Sequence, residues 1–259
     1  MTTHSPGVAK LIEPESIIFL DKIDGKISIQ KSTDDIFRKV ADELGVLPSF
    51  ELEDISKVKL AICVEGKNDI EFIKKLNASV DELKSICDLQ SQESIILLPL
   101  GGSSLQFWVN QDYLGKLNLN QIHIYDSDIG SDEPNKYQKY VDTINAKGKG
   151  NVAFVTSQRE MENLFPPSLI TEIYGVKIPI GIDWKTADVS EIIGKHNLQL
   201  SESNKAWEEL EKEEKKKRTS KIKNQLNNIH TEKLSKAHLD EINCFEEVKL
   251  WFLTINELK

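Results

Sequence analysis

Val58-Lys-Leu-Ala-Ile-Cys-Val64, followed by Glu65-Gly-Lys-Asn-Asp69, is the stretch that decides the fold class. Its first part is a nearly continuous, β-rich apolar run, which is typical of a strand buried on both faces of a parallel sheet. The polar residues that follow predict a turn and then a helix from about Asn68 to Leu76. A buried strand that leads directly into a helix is the repeating unit of α/β proteins.

The same alternation of strand and helix continues toward the carboxyl end. Further strands are predicted over Ser94–Leu100, Gln121–Asp126 and Asn151–Thr156, and the helices between them begin at Ser103 and span Asn135–Asn145. Such alternation favours a parallel sheet with right-handed crossovers. The sequence therefore predicts an α/β fold with a Rossmann-like parallel sheet flanked by helices.

The chain on either side of this alternation differs in character. A short hairpin, a helix and a linker are predicted in turn over Ser16–Ile29, Thr33–Gly45 and Pro48–Asp54. After Arg159 we expect a mostly helical carboxy-terminal extension. Within it, the segment from Cys244 to Leu253 carries apolar residues at a helical repeat and should pack back on the domain.

One segment of the extension is dominated by charge. The residues from Asn204 to Lys223 are so rich in charged side chains that they predict a solvated helix or arm. Lys215-Lys-Lys-Arg218, Lys221 and Lys223 concentrate cations at its end. Such a cluster offers a local surface for a nucleic-acid backbone.

Composition and charge exclude several classes of protein. The 259 residues carry a net charge of −9, which argues against binding nucleic acid through bulk positive charge. The 3 cysteines are an odd number without a C-x-x-C spacing, as expected in a reducing compartment. No apolar run approaches about 20 residues, and residues 1–5 lack the pattern of a signal peptide. We therefore expect a cytoplasmic protein with no membrane partner.

Acidic residues follow two of the predicted strands, at the point where each strand ends. Glu65 ends the first strand, and Asp69 lies one helical turn further on. Asp126 and Asp128 follow a second strand, where an i, i+2 spacing in extended backbone would point both carboxylates the same way. Functional groups of open parallel sheets collect outside the carboxyl ends of the strands. We expect these four carboxylates to face one crevice.

Four carboxylates in one crevice require a source of positive charge. Crowded carboxylates repel each other and shift toward their neutral forms unless a cation lies between them. Carboxylate oxygens are hard ligands of the kind that Mg²⁺ and Mn²⁺ prefer. The sequence therefore predicts a site for Mg²⁺ or Mn²⁺ between the two strand ends.

These motifs resemble those of a known family. The patterns Val64-Glu-Gly-x-x-Asp69, Leu100-Gly-Gly-Ser103 and Tyr125-Asp-x-Asp128 are similar to the Toprim fold. Topoisomerases, bacterial primases and the overcoming-lysogenization-defect (OLD) class of nucleases share that fold, and the last class includes Gabija-type and related phage-defence proteins. Gln158-Arg-Glu-Met-Glu-Asn-Leu164 resembles the Arg-x-x-Glu-Asn element of this nuclease branch. The resemblance spans about Val58 to Leu169.

The resemblance implies a metal-dependent DNA endonuclease or nickase, with RNA left open as a substrate. Glu65, Asp126 and Asp128 would hold the metal over which the phosphodiester is attacked. Asp69 and Glu162 would hold or orient a second ion. Two such ions lie roughly 4 Å apart, and together they activate water and stabilise the leaving oxygen.

Two roles have more than one candidate. Glu160 is the alternative to Glu162, because their spacing allows either residue to face the crevice. The resemblance also implies a catalytic lysine after the acidic motifs. Lys236 is the first candidate for this role and Lys233 is the second.

The amino-terminal residues resemble part of another domain. Thr2-Thr-His4-Ser-Pro6 is similar to the switch-histidine end of an ABC-type ATPase domain, which precedes the Toprim domain in this nuclease class. The sequence contains no G-x-x-x-x-G-K-[ST] phosphate loop, so His4 is interpreted as vestigial. The chain therefore resembles the carboxy-terminal part of a larger ATPase-nuclease, as a fragment, a truncated gene or a split subunit.

Three segments follow from this resemblance: an ATPase remnant with a linker helix over 1–50, a Toprim domain over 51–175 and a helical extension over 176–259. The expected function is hydrolysis of phosphodiester bonds in anti-phage defence, together with an ATPase domain or subunit. The alternative is a non-catalytic Toprim module that binds DNA or senses or assembles with an ATPase partner. A Toprim strand-transferase or primase is a further alternative, although no catalytic tyrosine is identifiable. The oligomeric state, including a homo-oligomer, stays open.

Overall fold

The computed structural model describes residues 18–23, 26–31, 57–101, 105, 109, 114, 119–201 and 205–259. The chain divides into two compact units, Met1–Ile55 and Ser56–Lys259. In the first unit, strands β1 (Ile18–Ile23) and β2 (Lys26–Lys31) pair in antiparallel fashion, which confirms the predicted hairpin. The segment around His4, the helix predicted over Thr33–Gly45 and the predicted linker lie outside the described residues.

The second unit is built on a sheet of four parallel strands in its described part. These are β3 (Leu60–Val64), β4 (Ile95–Pro99), β5 (Asn120–Tyr125) and β6 (Asn151–Val155), in the order β4-β3-β5-β6. All five residues of β3 are completely buried, because the strand lies inside the sheet and is covered on both faces. The predicted fold class, an α/β Rossmann-like fold, is confirmed.

The order of the strands creates a crevice where β3 and β5 end. Strand β4 pairs with one edge of β3, whereas β5 and then β6 lie beyond its other edge. Connections from two adjacent strands therefore leave in opposite directions. This is the topological switch point at which open α/β sheets bind their ligands. Glu65 follows β3 and Asp126 follows β5, so both residues lie at this point.

Helices surround the sheet and form the carboxy-terminal part of the unit. The helices that the structure describes over their full length are α1 (Lys67–Ser79), α2 (Asp81–Ile86), α3 (Gln138–Lys147), α4 (Pro167–Tyr174), α5 (Val189–Leu200), α6 (Lys212–Asn228), α7 (Lys236–Glu241) and α8 (Phe245–Leu258). Short 3₁₀ turns span Leu89–Ser91, Met161–Leu164, Trp207–Glu209 and His230–Lys233. This confirms the mostly helical carboxy-terminal part. Among the described residues, no helix is both long enough and apolar enough to cross a membrane.

One hydrophobic core joins the sheet to the carboxy-terminal helices. Phe72 of α1 packs against Phe165, with ring centroids 6.0 Å apart. Helix α8 contacts β5 and α2 and buries Trp251 and Phe252. Full burial of a large apolar side chain contributes about 1.5–3 kcal/mol to folding. The end of the chain therefore packs back on the domain, as its helical repeat predicts.

Helix α6 is also part of this packed unit. It contacts α1 and α5, and it buries Ile222, Leu226 and Asn227. Its remaining side chains are mostly charged, and Arg218 forms an ion pair of 2.9 Å with Glu214 one turn earlier. The prediction of a solvated helix or arm is correct for one face only, because the apolar positions of the helix dock it on its neighbours.

Candidate functional site

A pocket of about 350 Å³ lies at the carboxyl ends of β3 and β5. It is lined by six carboxylic acids, namely Glu65, Asp69, Asp126, Asp128, Glu160 and Glu162. Three lysines, Lys67, Lys136 and Lys223, line it as well. The structure therefore brings together all five predicted metal ligands and the alternative Glu160.

Glu65 and Asp69 are positioned by the turn from β3 into α1. The Gly66 N–H donates a hydrogen bond of 2.7 Å to Asp69 Oδ2, which holds this carboxylate at the helix start. On the other side, the Gly101 N–H donates a bond of 3.0 Å to the Glu65 carbonyl oxygen. A Cβ atom on Gly101 would lie only 2.3 Å from that oxygen. Glycine is therefore required at 101 for the two strand ends to approach.

Asp126 and Asp128 are presented by a tight loop. The extended backbone predicted from Asp126 to Asp128 is wrong, because Asp128 has a left-handed backbone with φ +52°. Aspartate tolerates this region better than most residues. The Asp128 N–H donates to the Arg159 carbonyl at 2.9 Å, and Asn135 N–H donates to the Ser127 carbonyl at 2.6 Å. The two carboxylates thus reach the same pocket through a turn.

Glu160 and Glu162 come from the segment that follows β6. Both are buried, and both face the pocket, so the two candidates share the site. Asn163 holds this segment: its Nδ2 donates to the carbonyls of Trp184 and Ala187 at 2.7 and 3.0 Å. Its Oδ1 accepts a bond of 3.2 Å from the Glu160 N–H.

Helix α6 contributes two side chains that the sequence did not place in the crevice. Lys223 Nζ lies 2.7 Å from Glu160 Oε1 and 4.0 Å from Glu162 Oε2. Asn227, one turn further along, donates a bond of 2.9 Å from Nδ2 to Glu162 Oε1. Lys223 lies three residues before the buried Leu226 and four before Asn227, and this helical repeat is the signal that places both on the inward side of α6.

Lys136 is the other functional residue that sequence reasoning missed. Its amine lies 2.9 Å from Asp128 Oδ2 and 3.1 Å from Glu65 Oε1. It therefore bridges acids from two different strand ends. Its place in the loop that carries Asp126 and Asp128 was the signal that could have identified it.

The lysines predicted to be catalytic lie elsewhere. Lys236 contacts Asp240 one turn along α7, and its amine lies 4.5 Å from the centroid of the Phe245 ring. Lys233 forms an ion pair of 3.3 Å with Glu172. Neither residue lines the pocket. Lys236 is instead held by its pairing along α7 and by its contact with the Phe245 ring.

Burial and mutual repulsion perturb the acids of the pocket. Burial raises the pKa of Asp126 well above its usual range, and the carboxylates of Asp69 and Glu162 act in the same direction. Burial also raises the pKa of Asp69 to about 7, with Glu162 adding to the effect and the Gly66 hydrogen bond opposing it. The pKa of Glu160 is raised by burial despite the nearby Lys223. The raised pKa values of these three acids indicate that the pocket carries an excess of negative charge.

The two paired lysines stay charged in this environment. Burial alone would lower the pKa of Lys223, but the carboxylates of Glu162 and Glu160 outweigh it, so the pKa rises. For Lys136, burial is likewise outweighed, by the hydrogen bond to Asp128 and by the charge of Glu65, and its pKa also rises. Both amines are therefore ammonium groups at neutral pH.

The donor atoms of the pocket fit a divalent ion, although they are not already arranged around one. Asp126 Oδ1 and Glu160 Oε2 are buried without a hydrogen-bond partner in the described part of the protein. Leaving such an oxygen unsatisfied costs about 1–3 kcal/mol, and a hard cation would satisfy it. Within residues 57–101 and 119–259, apart from the gap at 202–204, no three acidic, His or Cys side chains are grouped as a metal site. An ion bound here would therefore require the side chains to move.

Comparison of this chain with models of protein families, with curated proteins and with solved structures finds no match. The resemblance to Toprim nucleases consequently depends on the sequence motifs. The fold and the pocket are the observations from which a function can be argued.

Proposed function

We propose that this protein is a metal-dependent nuclease that hydrolyses phosphodiester bonds of DNA at the acidic pocket. The observation that carries the proposal is the buried, unpartnered Asp126 Oδ1 among six acids at the switch point of the sheet. Such an arrangement is unfavourable without cations and suits a reaction that needs several of them. Its cytoplasmic location and a role in anti-phage defence, with an ATPase partner, belong to the same proposal.

The acids divide into two groups according to the secondary-structure elements that carry them. Glu65, Asp126 and Asp128 follow β3 and β5, and we assign them to the first ion. Asp69 and Glu162 come from α1 and the Met161–Leu164 turn, and we assign them to the second, a place that Glu160 could also take. When bound, Mg²⁺ or Mn²⁺ would activate water and stabilise the leaving oxygen.

Lys223 takes the catalytic role for which Lys236 and Lys233 were predicted. Its amine lies inside the pocket, and the neighbouring carboxylates keep it charged. A fixed ammonium group in this position neutralises the negative charge that develops on the cleaved phosphate. Helix α6, packed on α1 and α5, provides the rigid support that this role needs.

The exposed lysines on the outer face of α6 are an observation in favour of a nucleic-acid substrate. Lys217 and Lys221 are exposed and make no ion pair with the described residues. They lie on one stripe with Asn224, which donates a bond of 3.4 Å to Asn68 at the edge of the pocket. These lysines could contact a phosphate backbone that leads into the site. They form a local positive surface on a protein whose net charge is −9.

The decisive test is cleavage of supercoiled plasmid by the purified chain in Mg²⁺ or Mn²⁺, compared with a structured RNA. We expect nicked or linear plasmid with the parent and none with Asp126→Asn. Glu257→Gln, which removes an exposed acid on α8, is the matched control and should cut like the parent. Intact plasmid under every metal, or equal cleavage by Asp126→Asn, would contradict the proposal.

A second candidate function is a non-catalytic DNA-binding or sensor module gated by an ATPase partner. The observation that favours it is the pairing of Lys136 and Lys223 with the acids, since no ready-made metal site is present among the described side chains. Metal binding and DNA binding by the chain alone, without cleavage under any metal, would support this function. Constitutive nicking would reject it.

A further inference from the structure

Lys136 connects the two strand ends on which the proposed metal site depends. Its single ammonium group lies 2.9 Å from Asp128 Oδ2 and 3.1 Å from Glu65 Oε1. These acids follow β5 and β3, and in the described structure Lys136 is the residue that forms an ion pair with both of them. The amine therefore occupies a position between two carboxylates that are both assigned to the first ion.

The loop around Lys136 holds the amine in this position. Asn135 has φ +57°, and its N–H donates to the Ser127 carbonyl at 2.6 Å, which folds the loop back over the acids. The Lys136 amine also lies 4.8 Å from the centroid of the Tyr137 ring. That ring stacks on buried Tyr125 at the end of β5, with centroids 4.9 Å apart. The contact is thus supported by packed residues on both sides.

An ammonium group and a divalent ion compete for the same oxygens. An ammonium group that donates a hydrogen bond to a carboxylate oxygen already neutralises part of the negative charge that would attract a metal ion. The ammonium group and the metal ion also repel each other. Lys136 keeps 35% of its side chain exposed, so the amine can leave toward solvent when an ion enters. Exposure of this kind also screens the interaction and limits its strength.

We propose that Lys136 is an internal counter-cation that competes with the divalent ion for Glu65 and Asp128. It thereby sets the metal concentration at which the pocket loads. In the metal-free protein it stabilises the acids, and in the loaded protein its amine is displaced. This inference depends on the metal site of the proposed function, but it makes no use of cleavage.

The test is calorimetric titration of Mn²⁺ into the full chain at fixed pH and ionic strength. Lys136→Met should bind Mn²⁺ about three- to tenfold more tightly than the parent, as expected from removing one charge a few ångströms from the ion under solvent screening. Lys136→Arg keeps the charge and should stay near the parent affinity. Lys67→Met is the matched control, since Lys67 also lines the pocket but forms no ion pair with the described acids. Its removal should have the smaller effect.

Thermal unfolding gives a second readout that is independent of calorimetry. Without metal, Lys136→Met should unfold at a lower temperature than the parent, because Glu65 and Asp128 lose their counter-cation. Saturating Mn²⁺ should remove most of that difference. A variant that unfolds earlier both with and without metal has lost packing instead, and this result would count against the inference.

The outcomes separate the inference from the proposed function. If the parent cleaves DNA and Lys136→Met binds Mn²⁺ no more tightly than Lys67→Met, the inference is overturned and the nuclease stands. If Lys136→Met binds more tightly but no variant cleaves, the inference is supported and the nuclease is rejected. Absence of Mn²⁺ binding by the parent at millimolar concentrations would overturn both.

Discussion

Lys223 Nζ of α6 lies 2.7 Å from Glu160 Oε1, which belongs to the segment after β6. The pair links the carboxy-terminal helices directly to the acids at the end of the sheet. The carboxy-terminal part of the chain therefore supplies a charged group to the site, in addition to the apolar surface that it buries.

Replacement of Asp126 should separate activity from stability. Asp126→Asn removes the least satisfied carboxylate of the pocket, so cleavage should fall by about 10²-fold or more. The melting temperature in the absence of metal should be unchanged or higher, because burial and the neighbouring carboxylates disfavour the ionised form of Asp126, and an amide has no such penalty. Plasmid cleavage rates and thermal scans of the same preparation check both effects. A large loss of stability would mean that the carboxylate has a structural role.

Asp69 should be less critical than Asp126. It is held at the start of α1 by a single backbone hydrogen bond, whereas Asp126 follows a strand inside the sheet. Asp69→Ala should therefore weaken the second ion and leave residual cleavage at high Mn²⁺, which tolerates imperfect geometry better than Mg²⁺. Rates measured against metal concentration decide this. Equal inactivity of Asp69→Ala and Asp126→Ala at saturating Mn²⁺ would show that the acids act as one cluster.

The two candidate catalytic lysines can be compared directly. Lys223→Met should lose most cleavage activity, because it removes the ammonium group inside the pocket. Lys236→Met removes the same charge from an exposed position on α7 and should cleave like the parent. Single-turnover cleavage under saturating metal is the measurement. Loss of activity in Lys236→Met alone would restore the role that the sequence predicted.

Metal-free protein should lose stability as pH rises. The folded pKa of Asp69 is about 7, above the unfolded value of about 3.9, so its favourable contribution is complete below pH 4 and is lost as pH rises through 7. In chelator, the melting temperature should therefore fall between pH 5 and pH 8. Asp69→Asn should flatten this dependence, and added Mn²⁺ should oppose it. A melting temperature that rises over this range in both proteins would contradict the shift.

The lysine stripe on α6 should determine the salt dependence of DNA binding. Replacing Lys217 and Lys221 with glutamine should weaken binding and reduce the slope of log K against log salt by about one to two. The double variant of Lys139 and Lys149, which are exposed lysines on and after α3, is the matched control and should retain the slope. Fluorescence anisotropy at several salt concentrations measures both. Equal slopes for the two variants would place the DNA elsewhere.

The sheet was predictable because its strands are buried runs with a clear pattern. Strands β3 to β6 lie where the apolar runs occur in the sequence, and their ends agree with the predicted ends within a few residues. Helix α3 begins at Gln138 instead of Asn135, because the left-handed backbone of Asn135 cannot start a helix. Helix α2, over Asp81–Ile86, is too short to show a helical repeat and was not predicted.

Glu65, Asp69, Asp126 and Asp128 were predictable for a similar reason, since strand ends converge at one edge of a parallel sheet. Glu162 and its alternative Glu160 were indicated by the motif resemblance. The lysines were not predictable, because their contacts depend on packing between distant segments. Lys223 reaches the pocket only when α6 docks on α1 and α5, and Lys136 only when its loop folds back on Ser127. The local signals, namely the helical repeat of α6 and the place of Lys136 in the acidic loop, indicate the two residues as candidates but do not reveal these contacts.

The packing of α6 and α8 has a consequence for dissecting the protein. A fragment ending near residue 175, at the boundary suggested by the resemblance, would lack Lys223 and would uncover the part of β5 that α8 contacts. Such a truncation would yield an aggregation-prone sheet without a complete pocket. For expression, domain exchange or fusion to an ATPase, the fragment should therefore keep the unit that begins at Ser56 together with α6 and α8, through Leu258.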